Sequence, residues 1–342
     1  MRLFPSGTTC STATRAVMKA ARAGSDVINM SYGFPSDSCY SHYVATEFAV
    51  RAGALPVASA GNTGLIGGNA PSRPATDPHV ISVSAIDRDG LVADFATRND
   101  GVDLTAPGVS VLGPTVAAGS PADDPSAVTR DWGLLSGTSF SAPMVSAAAA
   151  MLKQLRPRLD GRRLGRLLTR SASDLGTPGR DPEYGEGLLN IDAATAAGRP
   201  PGDPMEPNDD IAWLNGSMIA GKARFFWKPR SGKRRSLTAT VAVDKDPADV
   251  YRVRIPPRKK LRITAAQYQG DVTLSVLKPG ATTIAHPGNQ TIVASDRAFP
   301  KTEGLKIRNL KSKPRLIYVV VEIGPRQKPQ YGRYKLTVSR RR

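Results

Sequence analysis

Residues 137–155 constrain this chain more than any other stretch. Gly137-Thr138-Ser139-Phe140-Ser141-Ala142-Pro143 leads into a run of small apolar residues, Ala147-Ala148-Ala149-Ala150-Met151-Leu152. Gly137 permits a tight turn that a Cβ would hinder. Ser141 to Leu155 reads as a helix with Pro143 in its first turn, where a missing N–H costs little. Alanine-rich helices suit close packing among neighbours, so this one is expected inside the fold, holding Ser139 rigidly at its start. A helix start also offers free N–H groups and the positive end of the helix dipole to an anion. A serine hydroxyl is a weak nucleophile until a general base and oxyanion donors assist it. The plainer reading of Gly-Thr-Ser is a turn and a helix cap.

The motif has company. An apolar strand pattern, Leu55-Pro56-Val57-Ala58-Ser59, runs into Ala60-Gly61-Asn62-Thr63-Gly64, and Asp26 to Met30 runs into Ser31-Tyr32-Gly33. Val80 to Ile86 reads as a core strand. Asp94-Phe95-Ala96-Thr97, Thr105-Ala106-Pro107-Gly108 and Tyr184-Gly185-Glu186-Gly187-Leu188-Leu189-Asn190 follow. In this order, over residues 2–196, the segments resemble those of the subtilisin-like serine proteases, the subtilase family. The resemblance implies an α/β fold with a parallel sheet flanked by helices. It implies that Ser139 is the nucleophile and that the Asn62 side chain and the Ser139 N–H hold the oxyanion. It implies that Ser31, Tyr32, Gly33 and Gly61 align the polypeptide substrate, an extended peptide gaining main-chain hydrogen bonds at a sheet edge. The 94–97 and 105–108 segments match a hairpin that precedes the nucleophile. No cofactor is implied for the chemistry. Family members often bind structural calcium through carboxylates and carbonyls, and no site is assigned to it here.

In that family the catalytic order is Asp, His, Ser. The Asp turn and the His-Gly-Thr-His-like helix start have no counterpart in this chain. His42, His79 and His286 each read as a surface or packing histidine rather than a general base. Met1 to Pro5 reads as the strand that follows the family's His helix, and Ser11 to Ala23 as the next helix. The expectation is therefore a peptidase domain that begins part-way through, with its first strands missing, and a chain that as given is nearly inactive on peptides.

Charge divides the chain. Residues 1–200 carry 18 Lys+Arg against 18 Asp+Glu, whereas residues 201–342 carry 29 against 11, the whole of the +18 excess. The change falls on a linker-like run, Gly198 to Pro204, and gives domains at 1–197 and 205–342. The second part alternates in short segments: Leu237–Val243, Asp249–Ile255, Lys260–Ala266, Asp271–Leu277, Leu316–Glu322 and Tyr334–Val338. That spacing reads as an all-β sandwich. Glu206-Pro207-Asn208-Asp209, Asp246 to Tyr251 and Gly332 to Val338 resemble bacterial pre-peptidase C-terminal domains. The Asp246–Tyr251 acids read as turn caps before cation ligands.

The basic clusters, Lys233-Arg234-Arg235, Arg258-Lys259-Lys260 and Arg340-Arg341-Arg342, read either as a solvated basic face or as a dock for an anionic cell-surface polymer. Specific nucleic-acid binding is not expected, since no aromatics interleave the basic residues. A rival to the peptidase reading is a catalytically inactive, protease-like protein that binds anionic surfaces through this domain. The first thirty residues contain no signal-peptide core and no apolar run reaches membrane-span length. The resemblance nonetheless implies a secreted or cell-surface monomer. Cys10 and Cys39 read equally as a disulfide or as two thiols.

Overall fold

The computed structural model describes residues 9–36, 38–64, 67–114, 132–200, 205–215, 222–242, 245–284, 290–295, 302–324 and 331–340. The expected strand at Met1–Pro5, His286, Arg341, Arg342 and the 201–204 part of the linker lie outside them. The chain forms two compact units, Met1–Pro201 and Gly202–Arg342.

The first unit runs α1 (Cys10–Arg22), β1 (Val27–Met30), β2 (Phe34–Pro35), α2 (Tyr40–Ala52), β3 (Leu55–Ser59), β4 (Ser72–Arg73), β5 (Ile81–Ile86), β6 (Leu104–Pro107), β7 (Val111–Pro114), β8 (Trp132–Leu135), α3 (Thr138–Leu155), α4 (Gly161–Arg170) and α5 (Ile191–Ala196). Strands β1-β3-β5-β6 form a sheet in that order, every pair parallel. Both faces are covered, as parallel sheets require. Leu55 and Val57 of β3 join Val83 and Leu104 against the Ala142, Val145, Ala149 and Leu152 stripe of α3. Ala58, with Ile28 and Met30 of β1, faces the opposite way, toward Val17 of α1 and Ala45 and Ala49 of α2. Gly161 opens α4 so close to the start of β3 that a Cβ there would meet the Ala54 backbone at 2.2 Å. The 184–190 segment adds to the β6 side: Thr105 N donates to Gly187 O at 2.9 Å and Leu189 N to Thr105 O at 2.9 Å.

Two readings from sequence need correction. The helix expected at Ser141 starts at Thr138, so Pro143 is an interior residue. The Thr105–Gly108 segment lies mostly in parallel strand β6 and Asp94–Thr97 lies in a turn, so the two make no hairpin; β7 and β8, antiparallel with Leu112 opposite Leu134, form the hairpin that leads into Ser139. Thr97 N instead donates to Gly61 O at 2.9 Å, which holds that turn against the Gly61–Asn62 loop.

The second unit contains α6 (Ile211–Asn215), β9 (Arg234–Ala242), β10 (Ala248–Ile255), β11 (Lys260–Gln269), β12 (Val272–Leu277), β13 (Thr291–Ser295), β14 (Glu303–Arg308), β15 (Arg315–Ile323) and β16 (Tyr331–Arg340). Two antiparallel sheets, β10-β15-β12-β13 and β14-β11-β16-β9, enclose one apolar core. Val253, Leu274 and Val319 from the first sheet meet Ile263, Leu305, Leu336 and Val338 from the second. Ile211 and Leu214 of α6 cover the outer side of the first sheet at Val250, Tyr318 and Val320.

Cys10 and Cys39 are joined in a disulfide, with Cα atoms 5.5 Å apart, at the N-terminal ends of α1 and α2. It closes a loop of 29 residues in sequence separation, and chain entropy alone assigns such a bridge about 3–4 kcal/mol. Cys10→Ser/Cys39→Ser should lower the urea midpoint of the first unit accordingly, with the denaturant slope little changed. An unaltered midpoint would show that the helix packing alone sustains this corner.

Candidate active site

The site gathers at the carboxyl ends of β1 and β3, where open α/β sheets commonly place ligand sites. Gly137 enters it with φ +149°, a conformation that favours glycine, and its N–H donates to Gly108 O at 2.8 Å. A Cβ at Gly137 would stand 3.1 Å from Asn62 Nδ2. The Asn62 amide therefore lies alongside the turn that delivers Ser139.

The orientation of that amide is fixed. Asn62 Oδ1 accepts from Thr138 N at 3.0 Å and from Thr138 Oγ1 at 2.8 Å. A backbone N–H can only donate, so the atom it meets is the amide oxygen and Nδ2 is left as the donor beside Gly137. Thr138 Oγ1 also accepts from Gly61 N at 3.2 Å, tying the end of β3 to the start of α3.

The Ser31 side chain has a task that local sequence does not suggest. Pro143 has no N–H, so the helix cannot supply a donor to the carbonyl four residues earlier, that of Ser139. Ser31 Oγ donates to Ser139 O at 2.9 Å and fills the gap. Asn29 Nδ2 donates to Ser31 Oγ at 2.9 Å, and Asn29 Oδ1 accepts from Ser146 Oγ at 3.0 Å. The end of β1 is thus laced to the first turns of α3. Asn29, Ser146 and Thr138 are positioning partners that sequence reasoning missed. The available signal was Pro143 itself, set four residues after Ser139.

Tyr32 and Gly33 lie with Ser31 between β1 and β2, outside any sheet ladder. The Tyr32 hydroxyl pairs with His42 Nε2 at 2.9 Å, and burial raises its pKa well above the usual tyrosine range. His42 is buried in the first turn of α2. His79 precedes β5 at φ +59°, at the amino end of a parallel strand and so away from the carboxyl-end site. His42 is thus engaged by Tyr32, and His79 lies at the amino end of its strand.

In the second unit, Glu206, Asp246 and Asp249 are buried, each offering an oxygen within 4.8 Å of the others. Asn208 Nδ2 donates to Asp249 Oδ1 at 2.6 Å, and Asn208 N donates to Glu206 Oε2 at 3.1 Å. The expectation of simple turn caps fails for Asp249, which lies inside β10. All-oxygen donors of this kind suit a hard divalent cation such as calcium rather than zinc.

Comparison with known proteins gives the family and the fold. The subtilase family model matches residues 3–187, more than half of the chain. The chain belongs to the subtilase family. It is 34% identical over 176 residues to subtilisin DY of Bacillus licheniformis, covering 51% of this chain and 58% of the relative. It is 33% identical over 168 residues to the minor extracellular protease Epr of Bacillus subtilis, covering 49% of this chain and 24% of that protein. The chain therefore spans less than two thirds of the length of these relatives. The crystal structure of a lanthipeptide protease superposes with a TM-score of 0.50 at 25% identity, covering 56% of this chain and 67% of that one.

Two outcomes follow from these contacts. Ser31→Ala should destabilise the first unit by about 0.5–1.5 kcal/mol, the net worth of a part-buried hydrogen bond. In a Pro143→Ala background, where the helix regains its N–H, the same substitution should cost clearly less; equal costs in a double-mutant cycle would refute the compensation. The second concerns His42, whose pKa is pushed down to about 4 by burial first and by the Arg73 charge second. Its neutral form is the one the fold accommodates, so its contribution is whole above the unfolded value near 6.5 and is lost as pH falls through about 4. Native stability should decline by about 3 kcal/mol across that window, and His42→Gln should flatten the decline in urea titrations at successive pH values.

Proposed function

We propose that the first unit carries the nucleophile and oxyanion-binding half of a serine endopeptidase. Ser139 attacks the scissile carbonyl of a polypeptide, and Asn62 Nδ2 and the Ser139 N–H receive the oxyanion. The observation that carries this reading is the doubly held Asn62 amide, whose oxygen is occupied by Thr138 and whose donor end remains beside the serine turn. A donor preset in this way needs no reorganisation as charge develops, which is the main source of such catalysis. The backbone of Ser31 to Gly33 and of Gly61 aligns the substrate strand. The chemistry requires no cofactor from this chain.

The proton acceptor is the part that the described residues do not provide. Family relatives place a His, oriented by an Asp, against the serine. The 342-residue chain should accordingly hydrolyse peptides far below a complete triad, by roughly 10⁶ in kcat, the loss seen in subtilisin itself when its histidine alone is removed. An extracellular site of action is supported by the Cys10–Cys39 disulfide, a bond that persists in oxidising compartments. No described helix is long and apolar enough to cross a membrane.

The test pairs this chain with a segment carrying the relatives' Asp and His. In the reconstituted enzyme, Ser139→Ala should abolish peptide hydrolysis. Asn62→Ala should lower kcat by about 10²–10³ with KM little altered, as loss of the corresponding donor does in subtilisin. Retention of full activity by Ser139→Ala would overturn the assignment.

A further inference from the structure

We propose that the solvent face of the β14-β11-β16-β9 sheet binds a flexible linear polyanion of the sugar-phosphate or polyol-phosphate kind. Cross-strand register sets Lys306, Arg262, Ser339 and Arg234 in one row across all four strands. Arg308 stands opposite Lys260 in a neighbouring row on the same face. At the other end of the sheet, Lys335 and Arg333 point to the same side, alternating with the buried Tyr334 and Leu336. Between the two cationic ends lie the half-buried Thr264 hydroxyl and the exposed Ser236 hydroxyl, on either side of a buried Thr337 that pairs with Ser236 Oγ at 2.9 Å. Among the described residues, no carboxylate sits on this face.

Carboxylates are withdrawn from the rest of the described domain surface too. Of the described acids after Gly202, Glu206, Asp209, Asp246, Asp249, Asp271 and Glu303 are buried. The remaining two, Asp210 and Glu322, are half-buried. The domain therefore shows cations to solvent with no described exposed acid to neutralise them, which sets up a field that attracts anions from a distance. The opposite sheet differs: its outer side is apolar and covered by α6. One face is closed by a helix and the other presents the cationic rows.

The occupant follows from what the face lacks. Peripheral membrane binding normally inserts apolar or aromatic side chains below the headgroups, and single-stranded nucleic acid is gripped by aromatic stacking. Two large exposed apolar residues border the sheet, Tyr268 of β11 beside the Arg333 end and Leu310 just after β14 beside the Arg308 end, while the row of Lys306, Arg262, Ser339 and Arg234 holds none. Cations that meet phosphates and hydroxyls that hydrogen-bond to sugar or polyol oxygens fit a chain with charge on its backbone and no bases. A flexible chain can follow the twist of a sheet, which a rigid duplex cannot do over more than a short length.

The experiment measures binding of the full 342-residue chain to poly(glycerol phosphate) across about 50–200 mM salt, with phosphatidylglycerol vesicles and duplex DNA as comparison arms. Binding should weaken steeply with salt as condensed counterions are released. Lys260→Gln/Arg262→Gln/Lys306→Gln should weaken it at least about ten-fold at the low-salt end and cut the log–log salt slope by about three. A control triple at exposed cations elsewhere in the domain, Lys228→Gln/Arg230→Gln/Lys313→Gln, should change it far less. Equal losses from the two triples would show diffuse charge attraction and overturn the site. Tighter binding of vesicles or duplex DNA than of the polymer would overturn the occupant, and absence of binding at low salt would overturn both.

Discussion

A proline inside a helix leaves one carbonyl without its donor, and the arrangement of the site depends on how that carbonyl is satisfied. Pro143 strips the N–H that would have met Ser139 O, and the Ser31 hydroxyl, itself held by Asn29, replaces it. The helix N-terminus is thereby fastened to the end of β1. Thr138, one residue before the serine, does the corresponding work toward β3 through Asn62 and Gly61. The serine turn is thus tied to two neighbouring strands of a parallel sheet, and its position is set by packing that is buried on both faces.

Much of this was legible in the sequence, and the limits have physical causes. The order of motifs revealed the α/β half, and the small-residue run revealed α3, because a buried helix must be built of residues that let neighbours approach. The start of α3 was misplaced by three residues: Pro143 suggested a first turn, whereas a side chain from the segment just after β1 repairs the lost hydrogen bond, and such repair is invisible locally. The work of the Ser31 hydroxyl escaped notice for the same reason. The β7–β8 hairpin was missed because its exposed apolar residues, Leu112, Leu134 and Trp132, do not alternate against polar ones. In the second unit, β14 was missed because Glu303 and Gly304 open it, although Leu305 and Ile307 do alternate toward the core.

The two units bury polar groups for opposite ends. In the first, part-buried hydrogen bonds orient Asn62 and the Ser139 carbonyl. In the second, buried acids such as Asp249, which accepts from Asn208 and from the Tyr334 hydroxyl, are anchored inside the sandwich. Placing carboxylates there costs solvation that hydrogen bonds or a cation must offset. Among the described residues, the result is a domain whose carboxylates lie inside and whose exposed charges are basic.

That outward charge also bears on the edges of the sheet. Strands β14 and β9 are the two ends of the β14-β11-β16-β9 order, and each turns one side of its backbone away from the ladder. An open edge invites a further strand, and lysine or arginine on an edge strand discourages it by repelling a second copy. Lys306 and Arg308 stand on one edge and Arg234 on the other. Crowded copies of this domain should therefore remain separate molecules instead of growing into continuous sheets.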